Sequence, residues 1–449
     1  MNTDILIIGA GLTGQIAAAE LRDNHPNLTV RIIDAGGAAS SEIMGFSAPV
    51  NLPDTPNQLF HDTLNAANNA GNPYLAKLLA ENALERLEYL EKLGLEFDRN
   101  QDGSYNTLHA VGTTFPRVVH HGTTTGKEAI RLLNIEYENL HAKQLAKSQD
   151  GAIAGAILDD DTLLQAKAII LAGGGFAGLW KTSTWSKKLR GDCLAIALDA
   201  GVSLVDLQFV QFEPTVATDP SPIAGIPIIS TLLNEGAVLR NAADDQDILE
   251  NQKPVPAKKK LAAIIQKHID KTGETVYFDF QGVNLSQFAK KYPEYVKRYR
   301  LHSGDQSALR IPVKPAAHTT LGGIKIDEDC ATSIPGLFAA GEATGGLHGQ
   351  DRLGGNAGLE VLVFGKIAAM AAAEYANAHE LKTTIMAKTT TAQTQNEDFK
   401  KIASMLDRYF TPTSTRKDIK SAIAHINELQ PSTHVNLVKE LLRQKYESY

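Results

Sequence analysis

The stretch Asp4-Ile5-Leu6-Ile7-Ile8-Gly9-Ala10-Gly11-Leu12-Thr13-Gly14 decides how the rest of the chain is read. Its four apolar residues in a row, Ile5 to Ile8, have the look of a buried parallel strand. The glycines that follow have the spacing G-x-G-x-x-G and open a segment of helical character, Leu12 to about Asn24. A second strand, Thr29 to Asp34, places an acidic side chain twenty residues after Gly14. Strand, glycine turn, helix and a strand ending in an acid form a dinucleotide-binding β-α-β unit. Gly9 permits the tight turn, Gly11 lets backbone approach a pyrophosphate, and Gly14 lets helix and strand pack closely. The helix start supplies amide donors and partial positive charge, near Leu12 and Thr13, and Asp34, followed by Ala35, accepts from ribose hydroxyls.

Working outward, two more strand-then-glycine signals appear. Ala166 to Ala172 ends at Gly173-Gly174-Gly175, and Ile334 to Ala340 ends at Gly341-Glu342. Three such units spread over about 340 residues describe one nucleotide-binding domain interrupted by an insertion. The expected division is 1–205 and 313–380 for the two parts of that domain, 206–312 for a capping domain, and 381–449 for a helical tail. The fold class is α/β: a Rossmann-like domain with an α+β cap. Between the first two units, 36–72 reads as loop, and Tyr74 to Leu93 as one amphipathic helix, with Asn72-Pro73 starting it and Gly94 ending it. The run Lys258-Lys259-Lys260 reads as a solvated helix face, the insertion is aromatic from Tyr292 to Tyr299, and 381–391 reads as a linker.

Composition excludes several classes. The 449 residues carry a formal net charge of -7, which offers nothing to nucleic acid. Two cysteines, Cys193 and Cys330, cannot supply the four thiolates of an iron–sulfur cluster, so such a centre would belong to a partner. No metal-ligand cluster is evident. The N-terminus lacks a basic region with an apolar core behind it, and the apolar run is too short to span a membrane. A cytoplasmic chain with no direct membrane span is expected.

The stretch His318 to Lys366 carries the pieces H-T-T-L-G-G-I, P-G-L-F-A-A-G-E, T-G-G-L-H-G-Q-D-R-L-G-G-N and V-F-G in that order. It resembles the flavoprotein subunits of succinate dehydrogenase and fumarate reductase, and L-aspartate oxidase. Phe115-Pro116-Arg117 with Thr125-Gly126, and Gly191-Asp192 with Ala200-Gly201, resemble further segments of that family. The resemblance covers roughly residues 1–375.

It implies FAD, touched by Gly9, Gly11, Gly14, Asp34, Asp192, Glu342 and the backbone at Ala357 and Gly358. Gly341-Glu342 at a strand end suits a ribityl hydroxyl. Asn356 opens a helix whose start stabilises negative charge on the flavin. The respiratory members hold FAD covalently through a histidine; the matching stretch here, Ala39 to Phe46, has none, so non-covalent FAD is expected.

The resemblance implies a substrate carboxylate held by His318 and Arg352, with His348 lining the flavin. Other parts differ. Where the family has Q-F-H-P-T, this chain has Gln211-Phe212-Glu213-Pro214-Thr215, and the stretch that carries the proton-donating arginine is unrecognisable between Ala243 and Lys260. Each lost charge-assisted hydrogen bond costs about 1.5–3 kcal/mol, and Glu213 adds repulsion, so fumarate itself is a poor candidate. Glu213 could hold an amine or a hydroxyl, or act as a base. Lys258 and Lys259 lie near the missing arginine's place.

The expected function is an FAD-dependent oxidoreductase moving hydride between flavin N5 and a small carboxylate or amino-acid-like substrate. The other reading is an electron-relay or regulatory subunit that has lost its proton donor and works with an iron–sulfur or other electron-transfer subunit.

Overall fold

The computed structural model describes residues 2–37, 39–219, 223–250, 252, 254–291, 293–299, 310–385 and 391–449. The chain opens with β1 (Asn2–Ile8), α1 (Leu12–Asn24) and β2 (Val30–Ile33), the β-α-β unit read from the sequence. Helices α2 (Pro56–Ala66), α3 (Pro73–Glu81) and α4 (Ala83–Lys92) follow. Two expectations fail here. The 36–72 stretch contains α2, whose start is set by the Thr55 hydroxyl accepting from Gln58 N and by Pro56 in the first turn. The single helix from Tyr74 to Leu93 is two helices. Asn82 interrupts it with its side-chain amide bonded back to Leu78 O at 2.8 Å, the competition with helix that asparagine offers.

Next come β3 (Ala142–Ser148), β4 (Ile153–Leu158), β5 (Leu163–Leu171), α5 (Asp192–Asp199) and β6 (Val210–Ala217). The insertion continues with β7 (Val238–Asn241), α6 (Lys258–Thr272) and β8 (Val276–Asp279). Then β9 (Arg310–Thr320), β10 (Leu337–Ala339), α7 (Asn356–Ala378) and β11 (Thr384–Ile385) lead into the tail helices α8 (Asn396–Tyr409), α9 (Arg416–Asn427) and α10 (Thr433–Glu447).

A seven-stranded sheet runs β11-β3-β4-β5-β1-β2, with β10 also on β5. Strands β1 and β10 flank β5, both parallel to it, in a register that lines up Ile8, Leu171 and Ala339. The three glycine turns of the sequence therefore leave the sheet side by side, at the carboxyl ends of parallel strands, where ligands bind in folds of this kind. Helix α7 is long and apolar enough to cross a membrane by length and composition. It is instead mostly buried, in one apolar core with α1 and β5.

A second sheet, β6-β9-β8-β7, has its own apolar core, drawn from Ala217 to Val313 and including Leu261 and Ile265 of α6. Strand β9 belongs to this sheet through Arg310 to Thr320, and its last residues return the chain to the nucleotide-binding layers. The tail helices pack on the first core through Leu406, Ile419, Val438 and Leu442. Of the expected linker, 386–390 lie outside the described residues, while Thr384–Ile385 pair with β3. Tyr292 also lies outside the described residues.

Candidate functional site

The glycine turns are shaped by contact. A Cβ on Gly9, which has φ +114°, would stand 2.4 Å from Ala172 O, and one on Gly14 would stand 1.9 Å from Gly9 O. A Cβ on Gly173 would meet Cys193 Sγ at 2.4 Å. Gly341, at φ +69°, has Thr13 Oγ1 2.3 Å from the place its Cβ would take. These close approaches bring the fingerprint, the second glycine run and the Gly341 turn into one crevice.

Helix α1 begins at Gly11 with no side-chain cap and no acidic residue in its first turn. Of its first amides, Leu12 N donates to Ser40 Oγ at 2.8 Å. Asp34 accepts from Ala10 N at 2.5 Å and from Gly36 N, which holds the acidic strand end against the fingerprint turn. The carbonyl of Ala35 is held by Lys188 Nζ at 3.0 Å. Helix α7 likewise starts without a side-chain cap, at Gly355, whose φ is +87°. Asn356 donates to Thr63 Oγ1 at 3.0 Å, while its buried Oδ1 has no protein partner. Ala357 and Gly358 form the first turn, and a Cβ on Gly358 would fall 2.7 Å from Gly45 O. Two helix starts that lack an N-cap side chain, one of them with its Leu12 amide taken by Ser40, and an orphaned acceptor suit an extended, phosphate-bearing ligand with a polar ring.

Glu342 follows the Gly341 turn. Its Oε1 accepts from Thr320 N at 3.0 Å and from Thr320 Oγ1 at 3.2 Å. Burial lifts its carboxyl to about 7, against the pull of Thr320 and Arg352.

Beside it stands the pair named from the sequence. His318, near the end of β9, stacks on Trp185 with ring centroids 5.1 Å apart, and its Nδ1 lies 2.8 Å from Thr184 Oγ1. Burial, with the nearby charges of Lys258 and Arg352, pushes its pKa well below the ordinary value, so the imidazole is neutral at pH 7. Arg352 donates to Leu353 O at 3.1 Å and to Thr319 Oγ1 at 3.4 Å; its buried Nε has no partner in the protein.

Glu213 lies on β6, opposite Ala316 in register and 4% exposed. Lys258 Nζ donates to its Oε2 at 2.6 Å. The lysine run is solvent-exposed, as read from the sequence, and Lys258, the first residue of α6, in addition reaches a buried carboxylate. His348 pairs through Nε2 with Glu360 Oε2 at 3.0 Å, both side chains buried on the face of α7. Asp192 sits apart from this group in its contacts. Its carboxylate lies 2.9 Å from His434 Nε2 of α10 and 3.5 Å from Arg190 Nε.

Arg352 thus lies within electrostatic reach of His318, Glu342 and Glu213, and Lys258 within that of His318. Trp185, Thr184 and Thr320 were missed by the sequence reading. Thr320 was visible inside the H-T-T motif, whereas nothing in the sequence ties Trp185 to a histidine 133 residues away.

A family model described as an FAD binding domain matches residues 4–357. The chain belongs to this family of FAD-dependent oxidoreductases. It is 31% identical over 387 residues to L-aspartate oxidase of Clostridium acetobutylicum, covering 82% of this chain and 87% of that one. It is 30% identical over 399 residues to a fumarate reductase (CoM/CoB) subunit from Methanothermobacter marburgensis, covering 83% and 73%. Among solved structures, Mycobacterium smegmatis Sdh1 in complex with UQ1 superposes with a TM-score of 0.85 at 27% identity, over 99% of this chain and 85% of that one. These matches make the chain an FAD-dependent oxidoreductase, and the glycine crevice with its two helix starts fits FAD.

Proposed function

We propose that this FAD-dependent oxidoreductase holds its FAD non-covalently and acts on a small carboxylate-bearing substrate bound between Arg352 and His318. Bound FAD supplies the acceptor or donor of a hydride at a substrate carbon. The observation that carries the reading is the buried, unpartnered Nε of Arg352. A charged donor left unpaired costs about 1–3 kcal/mol or more, and a carboxylate is the ligand whose geometry matches a guanidinium edge.

The residues divide the work. Arg352 grips the carboxylate. His318, neutral, is fixed by the Trp185 ring and by Thr184 at 2.8 Å. The Thr184 hydroxyl and Nδ1 share one hydrogen bond, which fixes the orientation of the ring. Lys258 Nζ reaches Glu213 beside the site, and its side chain is 62% exposed to solvent. A lysine at the site favours a working enzyme over the electron-relay reading. Non-covalent attachment is supported by the absence of histidine from Ala39 to Phe46, the stretch that carries Ser40, the acceptor for Leu12 N.

Acid precipitation of the purified yellow protein tests the attachment, and titration with carboxylates tests the substrate. FAD free in the supernatant, carboxylates perturbing the flavin spectrum, and loss of that perturbation in R352M support the reading. Flavin remaining with the pellet overturns the non-covalent assignment. Carboxylate responses unchanged in R352M overturn the binding role.

A further inference from the structure

Arg352 and Lys258 are the cations of the carboxylate site, and carboxylates crowd them. Glu342, Glu360, Asp351 and Glu213 all act electrostatically on Arg352. Of these, Asp351 accepts from Gln211, Glu360 is paired with His348, and Glu342 is raised to about 7. His318 contributes no charge at pH 7 because burial keeps it neutral. Glu213 differs from the others in its partner: a lysine brought in from the insertion, 2.6 Å away. The pair is lopsided, with the Glu213 side chain 5% exposed and that of Lys258 62% exposed. The negative member is thus fixed inside the site, and the positive member shares its charge with water.

The count of charges decides what can enter. Arg352 neutralises one carboxylate. Lys258 is spent on Glu213. A ligand with a second carboxylate meets Glu213 with no further cation placed at the site among the described residues, and like charges juxtaposed in a partly desolvated site are strongly repelled. We propose that the Glu213–Lys258 pair is the specificity determinant of this site, restricting it to substrates with one carboxylate and no second anionic group. The inference rests on the carboxylate-binding reading given above and adds the substrate class to it.

Crotonate and fumarate make a matched test, because both have four carbons and a trans double bond and differ by a methyl in place of a carboxylate. Calorimetric titration of the FAD-loaded protein, with no electron donor present, reads binding without turnover. The unsubstituted protein is expected to bind crotonate at least about tenfold more tightly than fumarate. E213Q is expected to shift that ratio toward fumarate by about tenfold, because fumarate's two carboxylates gain more from the lost negative charge than crotonate's one. Because E213Q leaves Lys258 without its partner, the double variant E213Q/K258M serves as the second measurement; removing both charges is expected to leave fumarate weaker than in E213Q. Fumarate binding as tightly as crotonate in the unsubstituted protein, or an unchanged ratio in E213Q, overturns the proposal and leaves the carboxylate reading standing. Failure of both acids to bind overturns the two together.

Discussion

The indole Nε1 of Trp180 donates to the backbone carbonyl of Phe410 at 2.9 Å, and the Phe410 ring meets the indole edge-on with centroids 5.3 Å apart. The last turn of α8 is thereby fastened to the segment that follows the second glycine run. Trp180 is 1% exposed, and Phe176 stacks on it at 6.3 Å. Replacing Trp180 with alanine would remove the donor and open a cavity, at a cost of about 3–5 kcal/mol. Urea unfolding of W180A measures this directly. A midpoint close to that of the unsubstituted protein would show that the tail contributes little through this contact.

Asp192 connects a second tail helix to the same layers. Burial alone would raise its carboxyl, but hydrogen bonding and charge from His434, with Arg190 and His141, bring it below the ordinary value. A depressed carboxyl stabilises the fold above its unfolded value of 3.8, and that stability is lost as pH falls through the lower folded value. D192N is therefore expected to be less stable than the parent at pH 7, with the two converging on acidification toward pH 3. Thermal melts across that range give the comparison; parallel curves at every pH would contradict it.

Glu342 has the opposite sign. Its folded value of about 7 lies above the ordinary 4.5, so the folded protein holds a proton that the unfolded chain has released. In the FAD-stripped protein, stability from this group is full below about pH 4.5 and lost as pH rises through about 7. E342Q is expected to remove that decline. The check is a pair of melting profiles from pH 5 to 8, and a slope that survives E342Q would assign it elsewhere.

Gly341 has no room and the wrong backbone for any side chain. Its φ of +69° already disfavours other residues, and an added methyl would stand 2.3 Å from Thr13 Oγ1. G341A should fold with a distorted crevice and carry much less FAD, read as the ratio of flavin to protein absorbance. Unchanged loading would mean that the Thr13 hydroxyl moves aside cheaply.

The sequence disclosed those parts of the fold whose signals are local. The G-x-G-x-x-G spacing located β1, α1 and β2, and the glycine runs after β5 and β10 located the crevice. Helix α2 was missed because it lies in a stretch rich in small and polar residues, where Thr55 and Pro56 start a helix. The break at Asn82 was hidden by leucines that keep helical spacing across it. At the site, His318 and Arg352 were readable within one motif, while the Lys258–Glu213 contact joins residues 45 apart in sequence on different elements. Periodicity carries no information about such a pair.

Strand β9 runs from Arg310 in the inserted sheet to Thr320 at the flavin crevice, with His318 two residues before its end. A single rod is embedded in one body while its tip forms part of another body's working surface. The position of the imidazole is therefore set by the strand pairing of the inserted sheet. Lys258 begins α6, whose Leu261 and Ile265 pack in the same inserted core, so that core places it as well. Substitutions in the inserted core are then expected to be felt at His318 and Lys258 alike.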